Sequence, residues 1–104
     1  MITTHVLDTA QGRPAAGVPV TLELAADEGW RTIGAGATDA DGRLRTLTPS
    51  GAVTPGRYRI RFDTSACSVF FPVVEIQFVV ADGNAHYHVP LLISPYGYST
   101  YRGS

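Results

Sequence analysis

Glycine and proline interrupt this chain about every ten residues, and the segments between them are rich in valine, isoleucine, threonine, tyrosine and phenylalanine. The 104 residues include 11 glycines and 7 prolines. Such close punctuation leaves room for short β-strands but not for long helices. The sequence therefore predicts an all-β domain with no helix, no internal repeat and no linker.

Apolar and polar side chains alternate in two of these segments. Valine and leucine occupy the even positions of 18–24, and Tyr58, Ile60 and Phe62 alternate with arginines in 57–61. A period of two places alternate side chains on opposite faces of a strand. Both segments are therefore predicted to be half-buried antiparallel strands.

Turn residues stand where such strands must reverse, at Asp41-Gly42, Pro55-Gly56 and Asp82-Gly83. The last of these predicts a hairpin between 73–81 and 86–94. Many short strands in one domain of this length favour a sandwich of two sheets over residues 1–104. The expected strands are 2–8, 18–24, 29–36, 43–47, 56–63, 73–81, 86–94 and 97–102.

Charge and composition restrict the partners. The net charge is -1 at pH 7, without a run of like charges, which argues against nucleic acid and anionic membrane as partners. Cys67 is the only cysteine and requires no oxidising compartment. The first ten residues lack the pattern of a signal peptide, and no segment is apolar over a length that spans a bilayer. These features lead us to expect a cytoplasmic protein.

Two of the expected strands carry histidines on faces that should not point into the core. If Tyr87, Val89, Leu91 and Ile93 face the core, then His88, Pro90 and Leu92 point outward, and the same alternation places His5 and Leu7 outward on the first strand. Half-apolar outward faces usually mark an interface or a ligand groove. We therefore expect a site formed between subunits of a symmetric oligomer.

His5 and His88 are the first candidates for catalysis, because a partly desolvated imidazole can act as a general base on water. Arg43, at the start of a strand, could bind a planar carbonyl group or stabilise negative charge. His86 and His88 could instead chelate a metal with His5, but no carboxylate or cysteine cluster completes a ligand set. His86 is otherwise interpreted as a surface residue at a strand end, and Tyr101 as either packing or substrate-orienting.

The chain resembles the 5-hydroxyisourate hydrolases, the transthyretin-related proteins of urate breakdown, over nearly its whole length. The most specific part is the closing tetrapeptide, which separates the hydrolases from transthyretin. The segments that carry the resemblance are THVLDT at 4–9, GRPA at 12–15, TD at 38–39, DGR at 41–43, HYHVPLLISPYGYST at 86–100 and YRGS at 101–104.

The resemblance implies a transthyretin-like sandwich of two four-stranded sheets, assembled as a homotetramer that is a dimer of dimers with active sites at subunit interfaces. It implies hydrolysis of 5-hydroxyisourate to 2-oxo-4-hydroxy-4-carboxy-5-ureidoimidazoline, with no cofactor and no metal. The alternative is a non-catalytic protein that holds an aromatic ligand in the inter-subunit channel. The loop over 64–69 is shorter than in the family, and we expect no helix there.

The resemblance also assigns roles to individual residues. It places the catalytic groups on His5, Arg43 and His88, of which His5 and Arg43 also bind substrate. It makes Tyr101 a substrate contact, and we add Ser99 and Ser104 as expected contacts beside it.

Overall fold

The computed structural model describes residues 1–104, which form strands and turns without a helix. The all-β prediction is therefore confirmed. The chain accordingly holds no helix long and apolar enough to cross a membrane. The strands are β1 (Ile2–Asp8), β2 (Arg13–Pro14), β3 (Pro19–Ala26), β4 (Gly29–Ala37), β5 (Arg43–Leu44), β6 (Gly56–Asp63), β7 (Val73–Val80), β8 (Tyr87–Ser94) and β9 (Gly97–Thr100).

The strands form two sheets. One has the order β4-β3-β6-β7 and is antiparallel throughout, as predicted for 18–24 and 57–62. The other has the order β2-β1-β8-β9, with β5 also paired to β1, so it has five strands rather than four. The fifth arises because the two-residue strands β2 and β5 both pair with β1. β1 and β8 run parallel, side by side along the whole length of β1.

The core lies between the sheets and is made of the alternating side chains that the sequence indicated. Burying an aliphatic or aromatic side chain contributes about 1.5 to 3 kcal/mol, so these positions hold the two sheets together. The fully buried members, each at 0% exposure, are Ile2, Val6, Leu22, Ile60, Phe62, Leu91 and Ile93.

The hairpin predicted at Asp82-Gly83 is wrong. β7 and β8 lie in different sheets, and the turn carries the chain from one sheet to the other. The turn is held against the loop that contains Val53, because the Val53 N–H donates to the Gly83 carbonyl at 2.8 Å. It is also bonded to β8, because the Asp82 N–H donates to the Tyr87 hydroxyl at 3.1 Å. A Cβ on Gly83 would lie 2.0 Å from the Val53 carbonyl oxygen, so this contact requires glycine.

The short loop after β6 contains no helix, as expected. The Thr64 carbonyl accepts hydrogen bonds from the N–H groups of Cys67 and Ser68, both at 2.9 Å, which closes a single turn. The Ser68 hydroxyl then donates to the Pro95 carbonyl at 2.7 Å. These bonds tie the loop to the β8–β9 turn, away from both histidines of β1 and β8.

Candidate functional site

The parallel pairing of β1 with β8 determines which outward residues become neighbours. The register places Thr3 beside His88 and His5 beside Pro90. The core-facing residues Ile2 and Val6 on β1 are fully buried, whereas His5 and His88 are half-buried. The structure therefore places the two histidines on the same outward face, two residues apart in the register of β1 and β8.

A concave site of about 170 Å³ lies on this face, between the start of β1, the start of β8 and strand β5. Seven of its eight lining residues are polar or charged, and they supply two guanidinium groups and two imidazoles. The lining residues are Met1, Thr3, Thr4, Arg43, Arg45, His86, His88 and Ser104.

The Thr3 hydroxyl bridges two imidazole rings within this site. Its Oγ1 lies 2.7 Å from His86 Nε2 and 2.8 Å from His88 Nδ1. Thr3 is 4% exposed, whereas His86 is exposed, so the bridge leads from a buried hydroxyl toward solvent. The remaining nitrogen of His88, Nε2, is the one that the bridge leaves free.

His5 is held by a backbone carbonyl. Its Nε2 lies 2.8 Å from the Asp41 carbonyl oxygen. Because a carbonyl oxygen can only accept, Nε2 must carry the proton of this hydrogen bond. In the neutral ring the lone pair is then on Nδ1.

The turn before β5 positions both that carbonyl and Arg43. The Asp39 carboxylate accepts hydrogen bonds from the N–H groups of Asp41 at 2.9 Å and Arg43 at 3.0 Å. The Arg43 N–H bond lowers the pKa of Asp39, with a smaller contribution from the bond of Asp41, so the carboxylate stays charged. Gly42 has a φ of 75°, and its carbonyl accepts from the Val6 N–H at 2.8 Å. The turn is thereby fixed against β1, which carries His5.

His88 is the histidine with a perturbed pKa. Burial lowers the pKa of His88 below its ordinary value, and the nearby charges of Arg43, His86, His5 and Arg45 lower it further. An imidazole with a lowered pKa is neutral near pH 7 and has an unprotonated nitrogen available. The electrostatics of the site therefore suit His88 to accept a proton.

The closing tetrapeptide packs against His88. The Gly103 N–H donates to the His88 carbonyl at 2.7 Å, and the Arg102 guanidinium lies 4.4 Å from the centre of the Tyr87 ring. The first contact places Gly103 beside the imidazole, and the second fixes the preceding residue by a cation–π interaction. Gly103 thus lies against the His88 ring, whereas Arg102 lines the neighbouring apolar cavity.

Of the three other expected substrate contacts, only one lies at the histidine site. Ser104 lines the histidine site. Tyr101 lines a second, mainly apolar cavity of about 250 Å³ between β7, β8 and β9, together with Ile76, Phe78 and Val89. Ser99 is exposed on β9, beside Leu92. A single chain therefore does not bring Tyr101 or Ser99 to the histidine site.

Sequence reasoning missed three residues of this site. Thr3 could have been found, because it is two residues before His5 and so shares its face. His86 was interpreted as a surface residue at a strand end; it is exposed and lies just before β8, but it also bonds to Thr3. Arg45 follows β5 and gave no signal of its own. No three His, Cys, Asp or Glu residues group as metal ligands would.

Comparison with known proteins places this geometry in a family. The profile of the HIUase/Transthyretin family matches residues 2–103. A Salmonella dublin protein named 5-hydroxyisourate hydrolase is 46% identical over 110 residues, covering 100% of this chain and 81% of the relative.

Two solved structures have the same fold. The 5-hydroxyisourate hydrolase of Klebsiella pneumoniae superposes with a TM-score of 0.83 at 37% identity, covering 99% of this chain and 98% of its own. Sea bream transthyretin in complex with thyroxine superposes with a TM-score of 0.88 at 32% identity, covering 98% of this chain and 93% of its own. The chain belongs to the HIUase/Transthyretin family.

Proposed function

We propose that this protein is a metal-independent hydrolase that converts 5-hydroxyisourate to 2-oxo-4-hydroxy-4-carboxy-5-ureidoimidazoline in urate catabolism. The observation that carries this proposal is the presence of His88 and Arg43 in one concavity, with His5 paired in register with Arg43 and the pKa of His88 lowered by burial and by neighbouring cations. The names of the full-length relatives support the same activity. The cytoplasmic location expected from the sequence stays a prediction.

In the proposed mechanism His88 is the general base. Its free Nε2 takes a proton from water while the water oxygen bonds to the lactam carbonyl carbon of the six-membered ring. The Arg43 guanidinium binds the planar substrate and stabilises the resulting oxyanion. The C–N bond of the lactam then breaks, and the ring nitrogen takes the proton from His88. His5 lies beside this base and helps to orient the water or the substrate.

Binding of an aromatic ligand without catalysis is the alternative. The transthyretin neighbour was solved with thyroxine, and that likeness extends over almost the whole chain. The walls of the histidine site argue against this alternative, because two arginines and two histidines suit a small polar heterocycle. A polar hydrolytic site is the better interpretation of this lining.

We further propose that the chain assembles as a homotetramer, a dimer of dimers. β7 and β9 are edge strands of the two sheets, and the apolar cavity lies between them. Val79 and Tyr101, which line it, are 65% and 57% exposed. Unpaired edges with apolar side chains are suited to pairing with a second copy. Such pairing would let Tyr101, Ser99 and Ser104 of different subunits contribute to the same substrate sites.

The experiment generates 5-hydroxyisourate by enzymatic oxidation of urate and follows the decay of its absorbance. We expect the purified chain to accelerate this decay over the uncatalysed background, and His5→Ala and Arg43→Ala to lose most of the acceleration. Decay at the background rate with the wild-type protein would refute the hydrolase proposal. Calorimetric titration with thyroxine gives the second readout, since tight binding without hydrolysis would favour the alternative.

A further inference from the structure

The Thr3 hydroxyl is the most constrained polar group of the site that the mechanism above leaves without a role. It is buried, and its two hydrogen-bonding partners are imidazole nitrogens from the same short segment, His86 Nε2 at 2.7 Å and His88 Nδ1 at 2.8 Å. A hydroxyl has only one proton to donate, although it can accept through its lone pairs. The tautomer of a neutral His86 ring and the tautomer of a neutral His88 ring are therefore coupled through this hydroxyl.

When the rings are neutral, two arrangements of protons satisfy both hydrogen bonds and also give the Thr3 proton an acceptor. A third, in which Thr3 accepts from both rings, leaves the proton of this buried hydroxyl without a partner, because Thr3 Oγ1 makes no other hydrogen bond. In the first, Thr3 donates to His88 Nδ1 and accepts from a protonated His86 Nε2, which leaves the proton of His88 on Nε2. In the second, Thr3 donates to His86 Nε2 and accepts from a protonated His88 Nδ1, which leaves a lone pair on His88 Nε2. In both arrangements His88 Nδ1 is bonded to Thr3, so only Nε2 can act as the base. Nε2 has a free lone pair only in the second arrangement.

We infer that Thr3 is a positioning residue that sets the tautomer of His88, and that His86 is a functional member of the site because it accepts the Thr3 proton. This inference rests on the proposed hydrolase function for its catalytic meaning. The hydrogen-bond coupling itself is a property of the folded protein and can be measured without substrate.

The coupling also predicts how loss of the His86 side chain changes the tautomer of His88. His86 is exposed and lies just before β8, so its loss should leave the sheet intact. Without the His86 acceptor, the Thr3 hydroxyl is free to donate to His88 Nδ1, and the proton of His88 moves to Nε2. The charged or titratable residues around these rings are Arg43, Arg45, His5, Met1 and the last residue, Ser104. None of them makes a hydrogen bond to Thr3 Oγ1, so none replaces the His86 acceptor.

The test is the ¹⁵N spectrum of the imidazoles, recorded well above pH 6.5 so that the rings are neutral. We expect His88 in the wild type to carry its proton on Nδ1. Thr3→Val and His86→Ala should both shift His88 toward the Nε2-protonated form, and Thr3→Ser should retain the wild-type pattern. Thr21→Val, the same exchange on the other sheet, is the matched control.

Activity provides the second readout. A base held in the wrong tautomer loses up to about 10⁴ in kcat, and we expect Thr3→Val to lower kcat by about 10- to 10³-fold while Thr3→Ser recovers most of it. If Thr3→Val does not fold, the kcat and the His88 tautomer of His86→Ala test the same hydrogen-bond coupling.

The outcomes separate the two proposals. An Nε2-protonated His88 in the wild type, or a His88 spectrum unchanged in the folded variants, would overturn the inference. A tautomer shift in a protein that does not hydrolyse 5-hydroxyisourate would support the coupling and refute only the proposed function.

Discussion

Gly103 lies so close to His88 that a Cβ on this glycine would be 2.6 Å from the imidazole Cδ2. Real Cβ atoms do not approach other atoms so closely, and the glycine is also fixed by its N–H bond to the His88 carbonyl at 2.7 Å. The closing tetrapeptide therefore limits where the ring of the proposed base can lie. This relationship gives the YRGS segment a structural role beside any direct contact with substrate.

We predict that Gly103→Ala displaces the His88 imidazole and lowers kcat/KM by about 10- to 100-fold, because small displacements of a catalytic group are costly. Gly97→Ala is the matched control, since a Cβ there would meet only the Ser94 Oγ at 3.7 Å. Steady-state kinetics and a thermal melt of both variants check the prediction. Equal kcat/KM values for the two variants would show that the close contact between Gly103 and His88 does not affect catalysis.

The acid limb of the pH–rate profile reports the pKa of His88. Burial first, and then the positive charges of Arg43, His86, His5 and Arg45, lower the pKa of His88 from 6.5. The base is lost only when pH falls through this lowered pKa, so kcat/KM should stay constant to below pH 6.5. The unfolded chain binds a proton at higher pH than the folded one, so the free energy of unfolding should also decrease as pH falls below 6.5.

Arg45→Gln tests the electrostatic part of that pKa. Removing this cation raises the pKa of His88, so the acid limb of kcat/KM should move to higher pH. Arg57→Gln, on the other sheet, removes the same charge away from the site and should leave the limb in place. A limb that does not move with Arg45→Gln would contradict this contribution of Arg45 to the pKa of His88.

The Asp39 turn should matter for activity although it contains no proposed catalytic side chain. Asp39→Ala removes the acceptor for the N–H groups of Asp41 and Arg43, so both Arg43 and the carbonyl that holds His5 lose their support. We expect kcat/KM to fall by about tenfold. Asp63→Ala, which removes a similar turn cap beside Ser65, is the control, and kinetics that do not distinguish the variants would contradict this role.

Assembly through the β7 and β9 edges predicts that a charge at Val79 weakens the oligomer. Val79 lines the apolar cavity, and burying an unpaired carboxylate between subunits is strongly unfavourable. Val79→Glu should shift sedimentation toward smaller species, whereas Thr32→Glu on the opposite edge strand β4 should not. A tetramer that withstands Val79→Glu would exclude this edge as an interface.

Alternation and turn residues in the sequence were enough to predict most strands and their buried faces. They failed at Asp82-Gly83, because a local turn signal does not reveal that its two strands pair with different partners, β6 and β1. Residue 3 and residue 88 are neighbours only because β1 and β8 run parallel, a pairing between distant segments that local patterns cannot show. The roles of Thr3, His86 and Arg45 depend on that pairing and on the turn before β5.

The most direct test of the account is the rate of 5-hydroxyisourate decay with the wild-type protein and with His88→Asn at equal concentration. A general base contributes about 10² to 10⁴ to a rate. We therefore predict that the wild type accelerates the decay and that His88→Asn loses about 10²-fold or more of this acceleration while remaining folded. A folded His88→Asn variant as fast as the wild type would contradict the account.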